Sequence, residues 1–146
     1  MGRIKIVAWD VYGTLINSLA NETRDCEEDS IEASEGSIES LEKIKRRGIA
    51  QVTISDGDLD ELRKNLSIAG ISRDYFDDLF RMEPWRQKDI SFILESYGLG
   101  YNQALVIGDN YDIDIELAKK QGCACLHFPE NKGIDVRLVL EEIERE

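Results

Sequence analysis

A three-layer α/β/α fold, a parallel sheet covered by helices on both faces, is predicted by two features of this 146-residue sequence. Short apolar runs rich in β-branched residues alternate with amphipathic helical segments along the chain, which is the pattern of a parallel sheet wrapped by its own connections. Three of those runs also end in a small polar turn, placing Asp10, Ser55 and Asp109 at the carboxyl ends of strands, where ligands bind in such sheets.

Each element has its own signal. Residues 4–9 are mostly apolar and meet Gly13 just beyond Asp10, as a buried parallel strand entering a turn does. From 17 to 36 the periodicity disappears, and Glu22, Asp25, Glu27, Glu28, Asp29, Glu32 and Glu35 face only Arg24, which predicts a short, solvated acidic insert. Ser37 is placed to cap a helix with Ile38, Leu41 and Ile44 on one face, basic residues in its last turn and Gly48 as its stop. Residues 49–54 predict the next strand, Ser55-Asp56-Gly57-Asp58 the turn after it, and 59–69 a helix ended by Gly70. A short strand falls within 75–80, and 87–97 predicts a helix that starts beside Lys88 and buries Ile90, Ile93, Leu94 and Tyr97. The clearest strand, 104–107, runs into Gly108-Asp109, and a helix to Lys120, a strand over 123–128 and a terminal helix from Ile134 follow. With no repeat and no dividing linker, a single domain over 1–146 is expected.

Composition narrows the partners. Eighteen Lys and Arg against 30 Asp and Glu give a net charge of −12, which disfavours nucleic acid and anionic membrane surfaces. The apolar runs are far shorter than a membrane span and the N-terminus lacks signal-peptide organisation, so a cytoplasmic address is expected. The three cysteines are read as thiols. Zinc normally takes four N or S ligands, and beside Cys123 and Cys125 only Cys26 and His127 remain, so on ligand count a metal role for them is not expected. His127 itself reads as a strand-end or surface residue, and Glu141, Glu142, Glu144 and Glu146 as a solvated helix end.

Four separated pieces carry chemistry. The first is Trp9-Asp10-Val11-Tyr12-Gly13-Thr14-Leu15, with an aspartate at a strand end, a glycine for the tight turn and a threonine beyond it. A carboxylate is a nucleophile that is ionised at neutral pH and needs no base to activate it. The second is Ile54-Ser55-Asp56-Gly57, whose hydroxyl and neighbouring backbone N–H groups suit an oxyanion. The third is Lys88, with Arg86 as a rival cation in the same stretch. The fourth is Gly108-Asp109 followed five residues later by Asp114 and then by Ala118-Lys119-Lys120-Gln121-Gly122. Clustered carboxylates repel unless a cation sits among them, and Mg²⁺ prefers such hard oxygen donors. Asp112 reads instead as an exposed acid at a helix start.

In this order the four pieces resemble the motifs of the haloacid dehalogenase-like (HAD) superfamily, over residues 4–122. The resemblance implies a Rossmann-like sheet with little or no cap domain. It implies Asp10 as nucleophile and Ser55 and Lys88 holding the transferred group, with Thr14, Asp56 and Gly57 beside them. Mg²⁺ would be held by Asp10, the Tyr12 carbonyl and Asp109, with Asp114 either as a further ligand or supporting them from behind. An uncapped site further implies a phosphorylated substrate that can be large, or a site covered by another subunit of a homo-oligomer.

One departure stands out. The family's phosphatases carry a second aspartate, an acid and base, two residues after the nucleophile, where this chain has Tyr12. Tyrosine, with an ordinary pKa of about 10, is a poor base at neutral pH. Asp-x-Tyr-Gly-Thr-Leu is similar to the motif of 2-haloacid dehalogenases, whose halide leaves without a proton. Those enzymes, however, work without metal and under a helical cap that supplies an arginine. P-type ATPases, which also resemble the superfamily, form an aspartyl-phosphate without the second aspartate. A Mg²⁺-dependent phosphatase or phosphoryl-transfer enzyme is therefore the first expectation, with a dehalogenase and a catalytically degenerate binding domain as alternatives.

Overall fold

A computed structural model describes residues 2–18 and 31–145. Five parallel strands, β1 (Ile6–Trp9), β2 (Ala50–Ser55), β3 (Asp78–Arg81), β4 (Ala104–Gly108) and β5 (Ala124–His127), form one sheet in the order β3-β2-β1-β4-β5. The chain builds outward from β1 to β3 and then crosses back to lay β4 on the other side of β1. The strand order therefore reverses between β1 and β4, and a crevice opens there at the carboxyl ends.

Alternation along the strands divides the core in two. Val7 and Trp9 of β1 and Leu105 and Ile107 of β4 face α1 (Ser37–Arg46), α2 (Leu59–Ile68) and α5 (Val136–Glu144). Ile6, Ala8, Val52, Ile54, Ala104 and Val106 face α3 (Ser91–Tyr97) and α4 (Glu116–Gln121). Strands buried on both faces read as continuous apolar runs, which is why β1 and β4 were legible from sequence.

The first face contains one polar knot. Gln51 is fully buried; its Oε1 accepts from Trp9 Nε1 at 2.9 Å, and its Nε2 donates to the Leu41 and Tyr75 carbonyls at 2.9 and 3.3 Å. One side chain thus ties β1, β2, α1 and the turn before β3. Gln51→Leu leaves a buried indole N–H and two carbonyls without this partner and is expected to cost roughly 2–4 kcal/mol. Urea denaturation checks it, and an unchanged midpoint would mean that other groups satisfy all three.

The structure corrects several expected boundaries. Ser37 does not cap α1: its hydroxyl donates to the Ser34 carbonyl at 2.8 Å, and Gly36 stands at the cap with φ 83°. The helix expected over 87–97 begins only at Ser91, because the Lys88 N–H bonds the Ile113 carbonyl at 2.9 Å and the Asp89 carboxylate takes the Ser91 N–H at 2.9 Å. Lys88 thus lies on an extended approach segment, not at a helix start. The helix after β4 opens with a π-helical turn, Tyr111–Ile115, before α4.

Of the acidic insert, the two ends are described. Asn17 N–H donates to the Glu32 carbonyl at 3.1 Å and Ser34 N–H to the Leu15 carbonyl at 2.8 Å, so the chain leaves and re-enters the fold side by side. Glu22, Arg24, Asp25, Cys26, Glu27, Glu28 and Asp29 lie outside the described residues. No helix among the described residues is long and apolar enough to cross a membrane.

Candidate active site

Asp10 follows β1 directly, its N–H bonded to the Ile107 carbonyl of β4 at 2.9 Å, so its carboxylate emerges at the crevice where the strand order reverses. Its two oxygens are divided between partners. Oδ1 accepts from Lys88 Nζ at 2.7 Å and Oδ2 from the Thr14 hydroxyl at 2.9 Å. Lys88 Nζ also lies 2.7 Å from Asp114 Oδ1, and both side chains are almost wholly enclosed, at 5% and 2% exposure. Asp10, Asp109 and Asp114 each bring a carboxylate oxygen within 4.8 Å of the others.

Backbone geometry builds this cluster. Gly13 has φ 87°, and a Cβ there would come 2.5 Å from Asp109 Oδ2. At Gly108 a Cβ would collide with the Asp114 carboxylate. The π-helical turn brings Asp114 back over the strand end, where its Oδ2 accepts from the Asn110 N–H at 3.1 Å. The glycines of both loops are therefore the room in which the carboxylates sit.

The electrostatics follow from burial and from the carboxylates' closeness. The Asp109 carboxyl is pushed up to about 8, first by burial and then by the hydrogen bond and charge of Asp10 and by the charge of Asp114. Asp114 is raised by burial and by Asp10, against the opposing pull of Lys88. Burial works against the Lys88 ammonium, but Asp10 and Asp114 outweigh it and hold its pKa above the ordinary lysine value. Three carboxylates around one ammonium carry an excess of negative charge that suits a divalent cation.

Of the expected site residues, Asp10, Thr14, Lys88, Asp109 and Asp114 come together. Ser55 is buried at the end of β2, where its Oγ accepts from the Gly57 N–H at 3.2 Å, leaving the hydroxyl proton to be donated elsewhere. Asp56 and Gly57 are half-buried in the turn that follows. Arg86 does not join the cluster: it is exposed and pairs with Glu83 at 3.1 Å. Asp112 is exposed, as expected. Burial raises the Cys123 thiol to about 12 and the Cys125 thiol to about 11, so both are held as protonated thiols, the opposite of what a metal thiolate needs.

Two contacts were not anticipated. His127 Nε2 donates to the Asp109 carbonyl at 2.8 Å, bracing the loop that carries Asp109. Asn65, 5% exposed on α2, donates its Nδ2 to the Tyr12 hydroxyl at 2.9 Å. The available signal for Asn65 was a polar residue on the buried face that Leu62 and Leu66 define.

A parallel sheet whose reversal point carries an aspartate, a buried lysine and two further carboxylates defines a class of α/β protein with a charged cluster at its strand ends. A family model for haloacid dehalogenase-like hydrolases matches residues 5–128, and the chain belongs to that family. Among solved structures it is similar to a haloacid dehalogenase-like family hydrolase from Xanthomonas campestris (TM-score 0.76, 15% identity, covering 98% of this chain and 93% of that one). It is also similar to a predicted phosphoglycolate phosphatase from Haemophilus somnus 129pt (0.74, 16%, 97% and 98%). A third is a dehalogenase solved with an intermediate complex (0.74, 12%, 100% and 100%). At these identities the likeness is one of fold. No curated protein matches the chain.

Proposed function

We propose that the protein is a Mg²⁺-dependent phosphohydrolase or phosphoryl-transfer enzyme that works through an aspartyl-phosphate on Asp10. The observation that carries this reading is the buried carboxylate of Asp10, positioned by Lys88 and Thr14 beside Asp109 and Asp114. Asp10, Asp109, Asp114 and the Tyr12 carbonyl are the groups that would hold the ion. Bound Mg²⁺ supplies charge neutralisation at the phosphoryl oxygens.

The chain's own residues do the rest. Asp10 attacks phosphorus, Thr14 fixes the carboxylate rotamer, and Lys88 offsets the charge on the carboxylate and on the incoming group. The Ser55 hydroxyl and the Asp56 N–H receive phosphoryl oxygens, with Gly57, whose own N–H is donated to Ser55 Oγ, lining the same turn. The substrate is a phosphorylated molecule, not nucleic acid, handled in the cytoplasm by a single domain over 1–146 with an acidic insert at about 17–36 that is too short in sequence for a separate cap domain.

A second reading rests on Tyr12, which gives the loop the Asp-x-Tyr-Gly-Thr-Leu form similar to 2-haloacid dehalogenases. The three clustered carboxylates favour the first, because their excess negative charge suits a divalent cation. A third, a binding domain without turnover, is separated by the same assay. Phosphate release from an aryl phosphate with Mg²⁺, lost with chelator and reduced at least about a thousandfold in Asp10→Asn, is the expected result. Halide release from 2-chloropropionate that persists in chelator would install the dehalogenase instead, and Mg²⁺ binding without either release the binding domain.

A further inference from the structure

Trp85 goes against two ordinary preferences at once. It is one of the chain's two tryptophans and yet 93% exposed, and its backbone is left-handed, with φ 64°. Bulky residues rarely adopt that conformation, and it persists only where the surrounding chain imposes it. Here the chain does so. Pro84 followed by a positive φ is the pattern of a type II turn, whose third position favours glycine. Glu83 and Arg86 close the turn with an ion pair at 3.1 Å. A tryptophan thus stands where glycine would be easier, held out to solvent, and the fold gains neither burial nor a relaxed backbone from it.

The turn belongs to a strap whose two ends are fixed to the site. At one end the Met82 N–H donates to the Ser55 carbonyl at 2.8 Å. At the other the Lys88 N–H donates to the Ile113 carbonyl at 2.9 Å, and Lys88 Nζ reaches Asp10. Trp85 is midway, three residues from each anchor, and so within roughly 10 Å of either along the chain. A phosphoryl group held between Ser55 and Lys88 would therefore bring its leaving group up beside this turn. Tyr12 supplies an aromatic wall nearby, its Cε2 lying 3.3 Å from where a Cβ on Gly57 would stand. Tyr111, exposed beyond the end of β4, is a third aromatic on the same carboxyl edge of the sheet.

From this we infer that Trp85 is a specificity-determining residue, and that the substrate is a phosphomonoester whose leaving group carries an aromatic ring that stacks on the exposed indole. The inference rests on the phosphohydrolase reading and names its substrate class. The indole is already fixed on a rigid turn, so it loses little freedom when a ring meets its face. The ring belongs to an aryl group or to a nucleoside base. A second copy of the chain is the less favoured occupant, since a net charge of −12 on each copy opposes their contact.

The test uses pairs of esters matched in the bond that breaks, with Mg²⁺ and with Asp10→Asn as the blank: benzyl against ethyl phosphate, and adenosine 5′-monophosphate against ribose 5-phosphate. In Trp85→Ala the KM of a ring-bearing ester is expected to rise at least about fivefold relative to its partner, with little change in kcat, the lower end of what a lost stacking contact costs. The pair that responds tells an aryl group from a base. Trp85→Phe, which keeps a ring, should recover most of the difference. Trp85→Gly, which relaxes the backbone, should show the same KM change with a thermal midpoint at or above wild type, whereas a tryptophan kept for the fold would lose stability. Binding is read apart from turnover: Trp9 is fully buried, so acrylamide quenching reports on Trp85, and benzylphosphonate should shield it where ethylphosphonate does not. Equal shielding by the two, or KM changes shared within both pairs, overturns the inference and leaves the phosphohydrolase reading standing. So does a wild-type dimer that Trp85→Ala turns into a monomer with all four esters affected alike. No Asp10-dependent release from any ester removes both.

Discussion

Lys88→Met is expected to abolish useful turnover and to make the metal-free protein unstable in a strongly pH-dependent way. Methionine keeps much of the side-chain volume but leaves the carboxylates of Asp10 and Asp114 without the ammonium 2.7 Å from each. Breaking a buried ion pair by removing one partner costs about 3–5 kcal/mol, because the remaining charge stays buried. On the proposed phosphoryl-transfer reading, loss of this cation costs a further factor of roughly a hundred to a thousand in rate. The sign of the pH effect follows from the shifts. Asp109 and Asp114 bind protons more tightly in the fold than in the unfolded chain, so their contribution is most favourable below the ordinary carboxylate range. It is lost as pH rises, for Asp109 through about 8. Removing Lys88 takes away the opposing pull on Asp114 and steepens the loss. Urea midpoints measured without metal should therefore lie close to wild type at pH 5 and far below it at pH 8, with Mg²⁺ restoring much of the difference. A deficit that is the same at both pH values would trace the damage to packing instead of charge.

The sequence made some of this legible and hid the rest for definite reasons. The runs containing β1 and β4 are apolar on consecutive positions because both faces of the sheet are covered, so they were visible, and each ends at an acid that the fold puts in the site. The boundary of α3 was not visible, since helical periodicity over 87–97 continues through Ile90 although the Ile113 carbonyl has pulled Lys88 out of the helix. That is a long-range bond overriding local preference. The π-helical turn was hidden likewise: it accompanies the seat of the Asp114 carboxylate over Gly108, a contact with no local sequence signature beyond the glycine. The choice between Lys88 and Arg86 depended on which side of the approach segment points inward, and spacing alone does not state that. Asn65 was readable only as a polar interruption, and its partner at Tyr12 is 53 residues away.

The second large effect concerns how Mg²⁺ binding depends on pH. With Asp109 pushed up to about 8, its carboxyl is mostly protonated at pH 7, and a cation that takes it as a ligand must displace that proton. Calorimetry in buffers of different ionisation enthalpy should show about one proton released per Mg²⁺ near pH 7. The apparent affinity should rise roughly tenfold per pH unit between about pH 6 and 8, then level off as the carboxyl ionises in the free protein. Asp109→Asn removes both the proton and the charge. It should abolish this slope and weaken binding by more than the roughly 10–100-fold that loss of a group merely supporting a metal ligand costs. The slope and the affinity test different things. A flat pH profile with tight binding would mean that Asp109 is already ionised before the cation arrives, its charge offset by something other than a proton. A steep profile that survives in Asp109→Asn would move the displaced proton to Asp114, whose carboxyl is raised by the same burial and the same neighbour. Only a slope lost together with affinity identifies Asp109 as the group that exchanges its proton for the metal.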